Sequence, residues 1–156
     1  MPYNPAAAIA YAHRWAFARN PRHADFSDLG GDCTNFISQC LNAGGFAMNY
    51  TPNSGWFYTS LDSRSPSWSG VEELYAFAIS NRGDGPQAVV GEPTQVQPGD
   101  VIQLSFDGTA FAHSLFVVGH DASGTPLVAT HTYDSDNRPL SSYMYSKARA
   151  MLFNRE

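Results

Sequence analysis

The stretch Gly30-Gly31-Asp32-Cys33-Thr34-Asn35-Phe36-Ile37-Ser38-Gln39-Cys40-Leu41-Asn42-Ala43-Gly44-Gly45 decides the reading of this chain. It runs from a glycine turn through a short helix to a glycine stop. Asp32 suits the cap position, because a carboxylate there can accept from the free amides of the first helical turn. Cys33 then takes the first helical position, where open amides and the positive helix end favour a thiolate. Phe36, Ile37, Cys40 and Leu41 recur at helical spacing and form an apolar stripe. Gly44 or Gly45 supplies the left-handed residue that ends the helix. Cys40 lies about 10 Å further along the same axis, too far from Cys33 for a disulfide. The two thiols are therefore expected to differ. Cys33 is either a nucleophile at a helix tip or a small core residue. Cys40, set between Ile37 and Leu41, is expected to be a buried, inert thiol.

The same stretch resembles the cysteine motif of the putative amidase domain family. That family is related to the papain-like, CHAP-type and NlpC-type cell-wall hydrolases. Further segments are similar and follow the family's order: Asn53-Ser54-Gly55-Trp56-Phe57-Tyr58, Ser65-Pro66-Ser67-Trp68, Pro98-Gly99-Asp100-Val101-Ile102-Gln103, Ala112-His113-Ser114 and Thr130-His131-Thr132. Together they span nearly the whole chain. The resemblance implies a papain-like fold and an amidase activity. It also marks Asn35, Trp56, Trp68 and Ser114 as substrate-groove candidates.

With 156 residues, the chain is read as one domain, residues 1–156, long enough for a substantial core. A hydrophobic content of 43% with 15% charged residues is that of a globular protein. A formal charge of -5 gives no basic footprint, so nucleic acid is not an expected partner. No apolar run is long enough for a transmembrane helix. Met1-Pro2-Tyr3-Asn4 lacks the basic start and apolar core of a secretory leader. Location stays open: extracellular or cell envelope if a leader has been removed, otherwise cytoplasmic. The oligomeric state is open as well.

Asn4-Pro5 opens a first helix with Asn4 as cap and Pro5 at its first position. That helix is expected to run to residue 19, before Asn20-Pro21. Residues 46–69 read as a long loop rich in Asn, Ser, Gly and Pro. Its aromatic residues either line a groove or cover the core. Ser69-Gly70-Val71-Glu72 reads as a capping box starting a helix to about Ser80. Residues 81–98 read as a connection. From Asp100 the apolar period changes to two. Ile102, Leu104 and Phe106 alternate, then Phe111, His113, Leu115 and Val117. Leu127, Ala129, His131 and Tyr133 follow, and Ala150 to Phe153 close the chain. Short links between such strands predict an antiparallel meander. Helices first and sheet last is an α+β layout, with the N-terminal helices, the cysteine helix among them, packed on a C-terminal antiparallel sheet.

A cysteine hydrolase needs a base within hydrogen-bond reach of sulfur and a third group that orients the base. His113, opening a strand after a turn, is the first choice for the base. His131, on the next strand at matching parity, is the expected third member, with Asp134, Asp136 and Asn137 as rivals. The Cys33 amide and Asp32 serve the oxyanion and positioning roles, and Ser27 is the side-chain candidate for an oxyanion donor. His13, His23 and His120 are assigned no role. No Cys-x-x-Cys or His-Glu-x-x-His spacing occurs, so neither a metal nor any other cofactor is expected. Two classes of function follow. One is a cysteine-dependent amidohydrolase that forms an acyl-thioester on Cys33, with a peptide or peptidoglycan as substrate. Acyl transfer on the same residues is its variant. The other is a non-catalytic module that binds a cell-wall or glycan ligand with its aromatic loop.

Overall fold

The computed structural model describes residues 2–153. Helix α1, Pro5–Trp15, begins as expected: Asn4 Oδ1 accepts from the Ala7 amide at 3.2 Å, and Pro5 takes the first position. It ends at Trp15, short of residue 19. Ala8, Ala12 and Ala16 are fully buried, so α1 lays a face of small residues close against its neighbours. Helix α2, Cys33–Ala43, is the cysteine helix. Gly45, at φ 110°, supplies the left-handed backbone after it, whereas Gly44 stays right-handed.

The sequence shows an apolar stripe on α2, but every residue from Cys33 to Leu41 is buried. A helix covered on all sides must satisfy its polar side chains internally, and here each finds a partner. Thr34 Oγ1 lies 3.0 Å from Ser114 Oγ. Ser38 Oγ donates to the Trp68 carbonyl and accepts from Trp56 Nε1. The Tyr11 hydroxyl donates to Gln39 Oε1. α2 is therefore the central element, wedged between α1, the segment 46–69 and the sheet.

The segment 46–69 is not an open loop. It holds a small hairpin, β1 (Tyr58–Ser60) and β2 (Ser63–Arg64), and one helical turn, α3 (Pro66–Ser69). Helix α4 spans Val71–Ser80, with Gly70 at its cap position and no side-chain cap. The capping box expected from Ser69 does not form, because Ser69 belongs to α3.

The remaining strands are β3 (Ala88–Gly91), β4 (Val101–Ser105), β5 (His113–His120), β6 (Pro126–Thr130), β7 (Ser135–Pro139) and β8 (Lys147–Phe153). They form one six-stranded antiparallel sheet of order β3-β8-β4-β5-β6-β7. Strands β4 to β7 are the expected meander. β8 then returns to pair with β4 on the side away from β5, and β3 adds an edge strand. β3 lies in the region read as a connection. Its Val89 and Val90 are exposed, so it carries little apolar alternation to read.

Both faces of the sheet are covered. Val101, Phe116, Ala129, Met151 and Phe153 join the core shared with α1 and α2. The alternate residues Ile102, Leu115, Val117, Val128 and Leu152 pack with Val96 and Leu140 on the other side. No helix among the described residues is long and apolar enough to cross a membrane.

Leu41, fully buried on α2, tests the central role of that helix. Leu41→Ala should cost about 2–5 kcal/mol of unfolding free energy, read as a lower urea midpoint at unchanged slope. Leu29→Ala, at an exposed position, should stay within about 0.5 kcal/mol.

Candidate active site

Gly30 and Gly31 both have positive φ, 98° and 111°, and turn the chain into α2. Asp32 follows at the cap position, but its side chain caps nothing. Its carboxylate is wholly buried and used elsewhere. Oδ1 accepts from the Phe26 amide and from Asn35 Nδ2, each at 2.8 Å. Oδ2 faces His131 Nδ1 at 2.5 Å, and Arg19 Nε lies 3.4 Å away. The amides of the first turn of α2 are thus left without a side-chain cap. The Asp32 amide itself donates to Thr132 Oγ1 at 3.3 Å.

His131 is held at both ring nitrogens. Nδ1 meets Asp32, and Nε2 lies 2.8 Å from the Trp15 carbonyl at the end of α1. Both ring nitrogens are thus engaged by the fold. Phe36 stacks on the imidazole with ring centroids 4.1 Å apart. This arrangement corrects the expectation that His131 orients His113, because neither ring nitrogen is left to do so. The parity argument fails at a definite point: β6 ends at Thr130, and Thr132 and Tyr133 both turn to positive φ. Two of the three rivals are engaged too: Asp134 accepts from Arg19 at 2.9 and 3.0 Å, and Asp136 lies 2.8 Å from His13 Nδ1; the third, Asn137, is an exposed residue of β7 at φ 53°.

Cys33 opens α2 as expected, but inside the protein, with 6% of its surface exposed. Burial pushes its thiol above the ordinary range, and the Asp32 carboxylate adds to this. The main-chain N–H groups of Ser114 and Thr34 face the sulfur and act the other way, as does the Thr34 hydroxyl at 3.8 Å. The pairing of β5 with β6 begins only at Phe116, which leaves the Ser114 amide available to the thiol. A thiolate favoured by the helix end is therefore not the resting state. Cys40 is fully buried, and its thiol is pushed up further, again by burial.

His113 is the residue before Ser114 and the first of β5. Burial, with a smaller contribution from the nearby Arg138 charge, lowers its pKa to about 4. Its ring nitrogens take no hydrogen bond from the described residues. The ring instead forms a wall of a pocket of about 310 Å³, together with Phe106, Thr132, Tyr133, Arg138 and Tyr143. Two of those walls, His113 and Thr132, adjoin the groups that contact Cys33 and Asp32. No motif or apolar period marks Arg138 or Tyr143. They lie on and after β7, a strand of Ser, Asp, Asn, Arg and Pro with no apolar period.

The other sequence candidates stand apart from this pocket. Trp56 and Trp68 are fully buried beneath the 46–69 segment, with ring centroids 4.8 Å apart, and so line no open groove. Asn35, also fully buried, accepts from Trp68 Nε1 at 2.9 Å and donates to Asp32 and the Ala24 carbonyl. Ser114 is buried with its hydroxyl between Thr34 and Gln103. The polar atoms of all four side chains are already satisfied by the core. Ser27 is exposed, and its hydroxyl donates to Asp25 at 2.5 Å, so it is no oxyanion donor.

The Asp32–His131 contact is testable on its own. Removing one partner of a buried hydrogen bond to a carboxylate leaves the other unsatisfied, at about 1–3 kcal/mol or somewhat more. His131→Ala and Asp32→Asn should each lower stability on that scale. The double variant should cost less than the sum of the two, measured by urea unfolding. Additive losses would mean that the pair is not coupled.

Comparison with known proteins agrees with the sequence motifs. The family described as "Putative amidase domain" matches residues 2–154. The "Uncharacterized protein YhbB" of Bacillus subtilis is 41% identical over 140 residues. That alignment takes in 87% of this chain and 43% of the relative, so the chain spans less than half of that protein's length. No solved structure matches. The match across nearly all the described residues, on a chain whose cysteine motif opens a buried helix beside His113, shows that the chain belongs to the putative amidase domain family.

Proposed function

We propose that this protein is a cysteine-dependent amidohydrolase with Cys33 as nucleophile and His113 as the proton carrier. One observation carries the reading. The Cys33 thiol sits at the start of α2 against the Ser114 amide, and the residue before Ser114, His113, presents to a pocket an imidazole with no hydrogen-bond partner among the described residues. A cysteine helix packed on an antiparallel sheet, with a histidine opening a strand, also supports a papain-like arrangement.

The resting pair is neutral on both sides: burial raises the thiol and lowers the imidazole. The Sγ proton passes to His113 as sulfur attacks the amide carbonyl. The carbonyl oxygen becomes an oxyanion, and the uncapped amides at the start of α2 stabilise it. His113 returns the proton to the leaving amine, and the C–N bond breaks to leave an acyl-thioester. His113 then takes a proton from water, hydroxide adds to the thioester, and the acid is released with the thiol restored. Asp32 and His131 serve as positioning residues, because they fix the start of α2 relative to β6 without touching the substrate. Peptidoglycan peptides, the substrates of the cell-wall hydrolases that the cysteine motif resembles, are the first to try.

Muropeptide digests read by mass spectrometry should show new amine and carboxylate ends with the native protein and none with Cys33→Ala. His113→Ala should lose at least about a hundredfold in rate, as removal of a general base does. Unchanged digestion by Cys33→Ala would overturn the proposal.

The pH dependence follows from the two shifts. Protonated His113 cannot accept the Sγ proton, so kcat/KM should fall only as the pH drops to about 4. Loss of the Sγ proton from the free enzyme sets the other limb, above the ordinary thiol range. A pH–rate profile with circular dichroism as the folding control checks both. An acid limb near pH 6.5, the free imidazole value, would contradict this account.

A further inference from the structure

Arg138 forms one wall of the pocket that His113 lines. Its guanidinium lies over the Tyr143 ring, 3.7 Å from the centroid. Nε donates to Ser142 Oγ at 2.7 Å and one terminal nitrogen to the Ser142 carbonyl at 3.4 Å. Among the described residues no carboxylate comes within ion-pair distance of it, and none of the pocket-lining residues is acidic. This is a half-buried cation left uncompensated in a chain with an excess of acidic residues. Its charge also acts against protonation of His113, which places the guanidinium close to that ring. With Nε and one terminal nitrogen on Ser142, the second terminal nitrogen is the group left to meet a carboxylate. The other walls, Phe106, Tyr143 and the exposed Tyr133, are apolar surfaces suited to carbon chains.

We propose that Arg138 is a specificity determinant: it binds a free carboxylate close to the scissile amide, so that the substrates are amides of acidic or carboxyl-terminal character with an apolar portion against Phe106 and Tyr143. This rests on Cys33 and His113 as the reacting pair, since it takes their pocket as the substrate site.

Two probes that differ only in charge separate the questions. Cys33 is alkylated at pH 7 with iodoacetate and, separately, with iodoacetamide, using the neutral thiol N-acetylcysteinamide as reference and peptide mapping as readout. The iodoacetate-to-iodoacetamide rate ratio at Cys33 should exceed that of the reference by about tenfold, as one charge-assisted contact provides. Arg138→Gln should bring the ratio down to the reference value, and Arg138→Lys should keep part of the excess. A ratio that Arg138→Gln leaves unchanged overturns the carboxylate site and leaves the catalytic reading standing. A Cys33 that neither reagent labels faster than the buried Cys40 overturns the catalytic reading instead. The site is then decided without the thiol. In Cys33→Ala, N-acetylalanine should shift the Arg138 Nε–H resonance in NMR titration, and N-acetylalaninamide should not. Equal shifts from both overturn it.

Discussion

The buried contact between Asp32 and His131 is the constraint on which the site depends. It joins the residue before α2, the end of β6 and, through the Trp15 carbonyl, the end of α1. Replacing both partners of a buried hydrogen bond with apolar groups of the same shape can be nearly neutral or stabilising. What the pair does here is fix an arrangement, since few geometries satisfy a carboxylate and both nitrogens of one imidazole. Its consequence lies one residue away. Asp32, drawn to His131 and Asn35, leaves the first turn of α2 uncapped, and Cys33 is set where the sheet stops pairing beside Ser114.

Two opposed effects act on the Cys33 thiol, and their sizes decide the outcome. A helix end contributes about 0.3–1 kcal/mol, up to about 2 in favourable geometry. Burial of an ionisable group shifts its pKa by up to about 3–5 units, each worth about 1.4 kcal/mol. With 6% of the residue exposed, burial wins, and the Ser114 and Thr34 amides offset only part of it. The same burial keeps His113 neutral. In the proposed reaction, charge separation between the two would therefore belong to the substrate-bound state, when a carbonyl oxygen is present to take up the developing charge.

The cysteine helix, the α4 helix and strands β4 to β6 could be read from spacing alone, because each presents a clear apolar period or end signal. The contrast expected between an exposed Cys33 and a packed Cys40 could not, because the fold buries both thiols. The Asp32 side chain illustrates why the rest could not. A cap residue is a local inference, and here a partner 99 residues away took the carboxylate. Trp56 and Trp68 failed for a similar reason: aromatic residues in a polar segment look available, yet α2 has no other cover on that side. β7, with Arg138, carries no hydrophobic pattern at all. It forms as the edge partner of β6, which only the assembled sheet supplies.

The neutral, enclosed state of Cys33 bears on its durability. Thiolates attack peroxides and disulfides, at a rate set by thiolate fraction and access. Cys33 is poor in both at rest, and Cys40, on the same helix, is in no position to close a bond with it. If Cys33 is the nucleophile proposed above, it is guarded against sulfenic acid formation until His113 takes its proton during the reaction. That would let it persist where oxidants would inactivate a cysteine stored as the thiolate.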